Sequence, residues 1–168
     1  ATGLLSFSGL PVGEYDYSTI SAPDHETLAG GQLVVAEGTG VQTEVFTLTG
    51  KPRLAVTPAS TLLVVAPEET GNQEFTITNN GAAPLAGVTL DFGNLPPWTY
   101  LGAAIPPTLQ PGESYNFILY ATPPITAEGE VHAELITING GGQQQQAALT
   151  LQVTFANRRD LEITATDS

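Results

Sequence analysis

Between about Arg53 and Ala156 the chain breaks into about eight short runs of alternating apolar and polar residues, each closed by a turn-forming cluster. The runs lie near 53–57, 61–66, 74–79, 87–92, 98–102, 113–122, 130–138 and 146–155. Alternation at period two places successive side chains on opposite faces of a strand. No segment sustains apolar residues at i, i+3, i+4 and i+7, so helix is nearly excluded. The 18 glycines and 13 prolines act as the punctuation between strands. About eight strands in about a hundred residues is the pattern of a β-sandwich.

The inward faces expected of that sandwich are Phe75 and Ile77; Tyr115, Phe117 and Leu119; Val131, Ala133 and Leu135; and Leu149, Leu151, Val153 and Phe155. Burying such side chains contributes about 1.5–3 kcal/mol each, enough to offset chain entropy. Residues 1–49 hold four shorter candidate strands, at 4–7, 14–20, 32–36 and 44–49, and "TGKPR" (49–53) reads as a linker stiffened by Pro52. "LVVAEGTGVQTEVFTLT" (33–49) is echoed by "LVVAPEETGNQEFTIT" (63–78), and both read as hairpin-like strand–turn–strand units. "NGGGQQQQ" (139–146) reads as a hairpin tip.

Seventeen acidic residues stand against four basic ones, a net charge of −13. Such a surface repels a phosphate backbone, so nucleic acid is excluded as a partner. Without cysteine there are neither disulfides nor thiolate metal sites. No stretch reads as a membrane span or signal peptide, and the absence of methionine is expected of a processed chain or of part of a longer one.

Two resemblances arise from particular residues. The segment "GLLSFSGLPVGEYDYSTISAPDHETLAGGQLVVAEG" resembles the transthyretin-like, carboxypeptidase regulatory-like β-sandwich through Phe7, Leu10, Pro11, Gly13, Tyr15, Ala22 and Pro23. Asp24 and His25 stand where that family usually has Gly-Tyr. Residues 54–155 resemble bacterial immunoglobulin-like modules of surface proteins and secreted glycosidases. The matching residues are Asn79, Asn80, Gly81, Leu95, Pro96, Trp98, Leu109, Pro111, Gly112 and Glu113. The fold expected is therefore all-β, with two β-sandwich modules in series: an incomplete transthyretin-like module over 1–50, a linker at 51–53, an immunoglobulin-like sandwich over 54–156, and a strand over 157–168.

The first resemblance implies a strand ahead of the F-x-x-L-P-x-G-x-Y block that residues 1–49 lack. At the other end, "DLEITATDS" alternates, with Leu161, Ile163 and Ala165 on one face and Glu162, Thr164 and Thr166 on the other. Placed before "ATGLLSFSGLPVGEY", it reads as the absent start. A sheet lacking a strand exposes unpaired backbone groups, which invites pairing. The assembly strand expected is Leu161–Thr166, accepted by a module that presents Leu5, Phe7, Leu10, Tyr15 and Tyr17. Tandem repetition, addition to a neighbouring subunit and fold-back onto the same chain would all supply it. The first two give a head-to-tail fibre, because a heterologous contact that does not close is open-ended.

Catalytic chemistry is not expected: no G-x-S-x-G, paired-carboxylate or phosphate-loop pattern occurs. Asp24, His25 and Glu26 are adjacent in sequence and would point apart, which suits a solvated loop better than a metal site. Glu130, His132 and Glu134 share a strand face at spacings of about 7 Å, long for one ion and expected of a polar outer face. Asp160, Glu162 and Asp167 form a loose acidic cluster, leaving Ca2+ at a module junction as the sole cofactor expectation. Trp98 and Tyr100, with Tyr15, Tyr17, Tyr115 and Tyr120, could stack sugars, although "LPPW" suits an indole packed at a sandwich edge. Lys51, the one lysine, is poorly placed for an isopeptide bond. The function expected is a non-enzymatic structural repeat or subunit of an extracellular fibre or surface adhesin, with copies of itself as partners. The alternative is a carbohydrate-binding or spacer module of a secreted polysaccharide-degrading enzyme.

Overall fold

The computed structural model describes residues 7–38 and 41–155. Ten strands of the second region pair as the alternation requires: β3 (Leu54–Thr57), β4 (Ser60–Val65), β5 (Gly71–Asn79), β6 (Leu85–Ala86), β7 (Thr89–Asp91), β8 (Thr99–Leu101), β9 (Thr108–Leu109), β10 (Ser114–Ala121), β11 (Val131–Gly140) and β12 (Gln143–Val153). One four-stranded sheet runs β3-β5-β10-β8 and the other β4-β12-β11-β7, while β6 and β9 form a small third pair. The protein is all-β, and its helical content among the described residues is one 3₁₀ turn at Ile125–Ala127.

Apolar side chains from both sheets meet between them. Phe75 and Phe117 stack at 5.2 Å, surrounded by Ile77, Leu119, Ile136, Ile138, Leu149 and Leu151, all buried. The chain enters this sandwich twice. β3 pairs antiparallel with β5, then the backbone crosses at Pro58–Ala59 to the opposite sheet, where β4 pairs parallel with β12. The segment 63–78 is therefore not a hairpin: its two strands lie in different sheets, and its likeness to 33–49 is one of sequence only. The "NGGGQQQQ" tip does turn a hairpin, with Gly141 and Gly142 at φ +57° and +73° between β11 and β12. A two-residue loop of this hand needs positive φ at both positions, which glycine adopts without steric cost.

β11 corrects the expected inward face. Its sequence changes phase at Leu135-Ile136: the apolar residues before that point are odd-numbered, those after it even-numbered. The ladder to β12 runs unbroken from Val131↔Gln152 to Gly140↔Gln143, so no bulge absorbs the change and one phase must yield. Ile136 and Ile138 take the core, and Val131, Ala133 and Leu135 are left exposed on the outer face. Phe155, also expected inside, is 77% exposed and lies against Gly129.

Before Leu54 the structure is sparser. β1 (Gly13–Tyr17) and β2 (Gly31–Val35) form one antiparallel hairpin, extended by a bridge between Ile20 and Leu28. The strand expected at 44–49 does not form a ladder; residues 41–49 meet the hairpin through Gln42, Phe46 and Thr49. Of the first expected strand (4–7), Phe7 alone is described, and Leu161–Thr166 lie outside the described residues.

Candidate functional site

The site with the clearest physical demand for a partner is the β1–β2 hairpin. On one face Tyr15, Tyr17, Leu33 and Val35 are half-buried; on the other Glu14, Asp16, Gln32 and Val34 are exposed. Tyr17 packs on Phe46 at 5.0 Å between ring centroids, and the Tyr15 hydroxyl donates to Pro11 O at 2.8 Å. Phe7, Leu10 and Val12 are exposed, at 69%, 44% and 59%. Not one described residue before Leu54 is buried. An apolar face of this kind, held by two strands, is marginal in water without a further layer or strand. Of the five acceptor residues expected, Tyr15 and Tyr17 share the half-buried face, Phe7 and Leu10 are exposed in the segment before β1, and Leu5 lies outside the described residues.

The two edges of the hairpin differ. On β2, the Gln42 side chain occupies the place of a neighbouring strand: its Oε1 accepts from Ala36 N at 3.2 Å and its Nε2 donates to Val34 O at 2.7 Å. Since Val34 faces that way, antiparallel alternation turns the outward groups of β1 onto Glu14 and Asp16. Outside the β1–β2 ladder, no backbone bond among the described residues reaches them. Sequence reasoning did not single out Gln42, because a side chain acting as a strand leaves no periodic signal.

Residues 49–53, which include the expected linker at 51–53, are hydrogen-bonded to both the hairpin and the sandwich. Glu26 N donates to Thr49 O and Lys51 N to Asp24 O, both at 2.7 Å. From the other side Ala82 N donates to Lys51 O at 2.8 Å, Asn80 N to Arg53 O at 2.8 Å, and the Gln143 amide to Pro52 O. Asn79, the buried polar residue of the sandwich, fixes this corner. Its Oδ1 accepts from Arg53 N and Gly81 N, and its Nδ2 donates to Ala83 O and Leu109 O. Gly81 is required beside it, because a Cβ there would collide with the backbone of Lys51–Arg53. Asp24 sits at φ +58°, a left-handed conformation that glycine adopts most readily. Aspartate tolerates that region better than most residues, and its carboxylate also reaches Arg53 at 3.6 Å.

The remaining candidates are engaged within the protein. His25 Nδ1 is bonded to Pro23 O, and His132 Nε2 to Glu130 Oε2 at 2.9 Å, while Glu134 Oε2 accepts from Asn94 N. His132 and Glu134 lie on the same face as Ile136, beyond the core, and not on the outer face as expected; Trp98 meets His132 edge-on at 5.7 Å. Among the described residues no three His, Cys, Asp or Glu side chains are grouped to hold a metal ion. Trp98 packs partly buried against the core, as "LPPW" implied, and Tyr115 does likewise with its hydroxyl on Ala104 O. Tyr100 and Tyr120 instead stack on the open face of the β3-β5-β10-β8 sheet.

No family model matches the sequence, and no curated protein matches it. Among solved structures, a protein of unknown function from Porphyromonas gingivalis W83 is similar over 85% of this chain and 67% of that one, at 17% identity and a TM-score of 0.51. The VesB protease of Vibrio cholerae is similar over 60% of this chain at 20% identity and a TM-score of 0.45, and the chain spans 31% of VesB. Domains 1–6 of the surface layer protein SbsC are similar over 85% of this chain and 20% of that one, at 11% identity and a TM-score of 0.42. At these identities the likeness bears on fold alone, and the first agrees with the sandwich architecture. No helix among the described residues is long and apolar enough to cross a membrane.

Proposed function

We propose that the chain is a non-catalytic structural unit of an extracellular or cell-surface assembly, built from a transthyretin-like module and an immunoglobulin-like sandwich and joined to its neighbours by strand complementation. Residues 160–168 of one unit add to the β1–β2 hairpin of the next, giving backbone partners to Glu14 and Asp16 and a cover to the half-buried face. The observation that carries this reading is that none of the described residues before Leu54 is buried, in a chain whose second region buries a full core. Charge supports it too: Arg158 and Arg159, half of the basic residues, flank the donor segment, while the hairpin carries Glu14 and Asp16. Because the hairpin is strapped to the sandwich through residues 49–53, tension on the added strand passes into a packed core rather than into a slack tether.

Light scattering on size-fractionated full chain and on a chain lacking 160–168 tests the reading. The full chain is expected to form concentration-dependent oligomers that the deletion abolishes. A full chain that stays monomeric throughout, or assembly unaffected by the deletion, contradicts it.

A further inference from the structure

We infer that the outer face of the β3-β5-β10-β8 sheet is a binding platform for a neutral oligo- or polysaccharide, with Tyr100 and Tyr120 as its stacking surface. This rests on a different face from the hairpin and does not depend on strand complementation. Tyr100 and Tyr120 are directly opposite on β8 and β10, and their rings lie 5.4 Å apart between centroids with planes 14° from parallel. Near-parallel rings in contact are separated by about 3.5 Å along their normal, so this centroid distance requires a sideways slip of about 4 Å. The pair is a step, not a closed stack, with Tyr120 half-buried over Gly102. Tyr100 is 51% exposed.

The hydroxyls set these two apart. Those of Tyr15 and Tyr115 donate to backbone carbonyls, whereas among the described residues neither Tyr100 nor Tyr120 has a hydrogen-bond partner for its own. The same sheet face adds polar groups in register: Asn72 opposite Tyr120, then Glu74 and Asn116, already joined by a 2.8 Å bond from Asn116 Nδ2 to Glu74 Oε1. Asn72 is exposed and its amide has no described partner. A flat apolar surface with amide and carboxylate groups beside it matches a pyranose, which has apolar C–H faces and a rim of hydroxyls that donate and accept. Tyr120 to Asn116 spans about 13 Å of β10, longer than one sugar ring, so the ligand class is a chain of sugars. Glu74 and the net charge of −13 select against uronic acids.

Native gel electrophoresis of the full chain through gels containing barley β-glucan, galactomannan, dextran or polygalacturonate tests the platform. Tyr100→Ala is the informative variant, because Tyr120 closes over Gly102 and its loss would disturb the sheet. At least one neutral polymer should retard the protein. Tyr100→Ala should weaken that retardation about tenfold, the scale of losing one aromatic anchor, at unchanged melting temperature. Tyr100→Phe should retain most of it, and polygalacturonate should have no effect. The inference is overturned if no neutral polymer retards the chain, if Tyr100→Ala is retarded like the parent, or if polygalacturonate retards it equally.

Discussion

Asn79 illustrates how one polar side chain fixes a junction. Buried completely, it meets all four of its hydrogen-bonding demands with backbone groups from the linker, the following turn and the end of β9. Removing it strands those groups in the interior, where each unsatisfied donor or acceptor costs about 1–3 kcal/mol. Asn79→Ala should therefore lower stability by about 2–4 kcal/mol, read as a lower denaturant midpoint at unchanged m-value. The N-N-G resemblance pointed to this position but not to its role, since spacing cannot show where a side chain's partners come from. Asp24 is the converse case: nothing in the sequence marks its left-handed backbone, which glycine would adopt more readily.

At the level of elements, the eight runs expected in the second region correspond to strands within a few residues, because turn residues and period-two alternation are local signals. What was not legible was the phase of β11, where VHAELITIN offers two inward sets and the choice is made by the opposite sheet. Ile136→Ala should cost about 3 kcal/mol and Leu135→Ala about 0.5 kcal/mol or less, measured by chemical denaturation; equal costs would refute the assigned phase. The two-residue strands β6 and β9 escaped notice, being too short to show any period. So did the crossing from β3 to β4, which makes an arch of what reads locally as a hairpin. The aromatic candidates divided by burial, a property of the sheets and not of the sequence: Trp98 went to the core edge, Tyr100 and Tyr120 to an open face.

For the molecule as a whole, the contrast between a complete sandwich and a hairpin with no buried residue is the fact that function must explain. A folded core supplies most of the stability of a small domain, so a segment without one depends on what it docks against. The straps at 49–53 supply part of that dependence, and the proposed neighbouring strand supplies the remainder. Amide exchange at Glu14 and Asp16 measures it most directly, in a chain lacking 157–168 and mixed with a peptide of residues 160–168. The account predicts that saturating peptide slows exchange at these two amides at least about tenfold while the sandwich amides keep their rates. Unchanged exchange at Glu14 and Asp16, or protection arising on the sandwich instead, would contradict it.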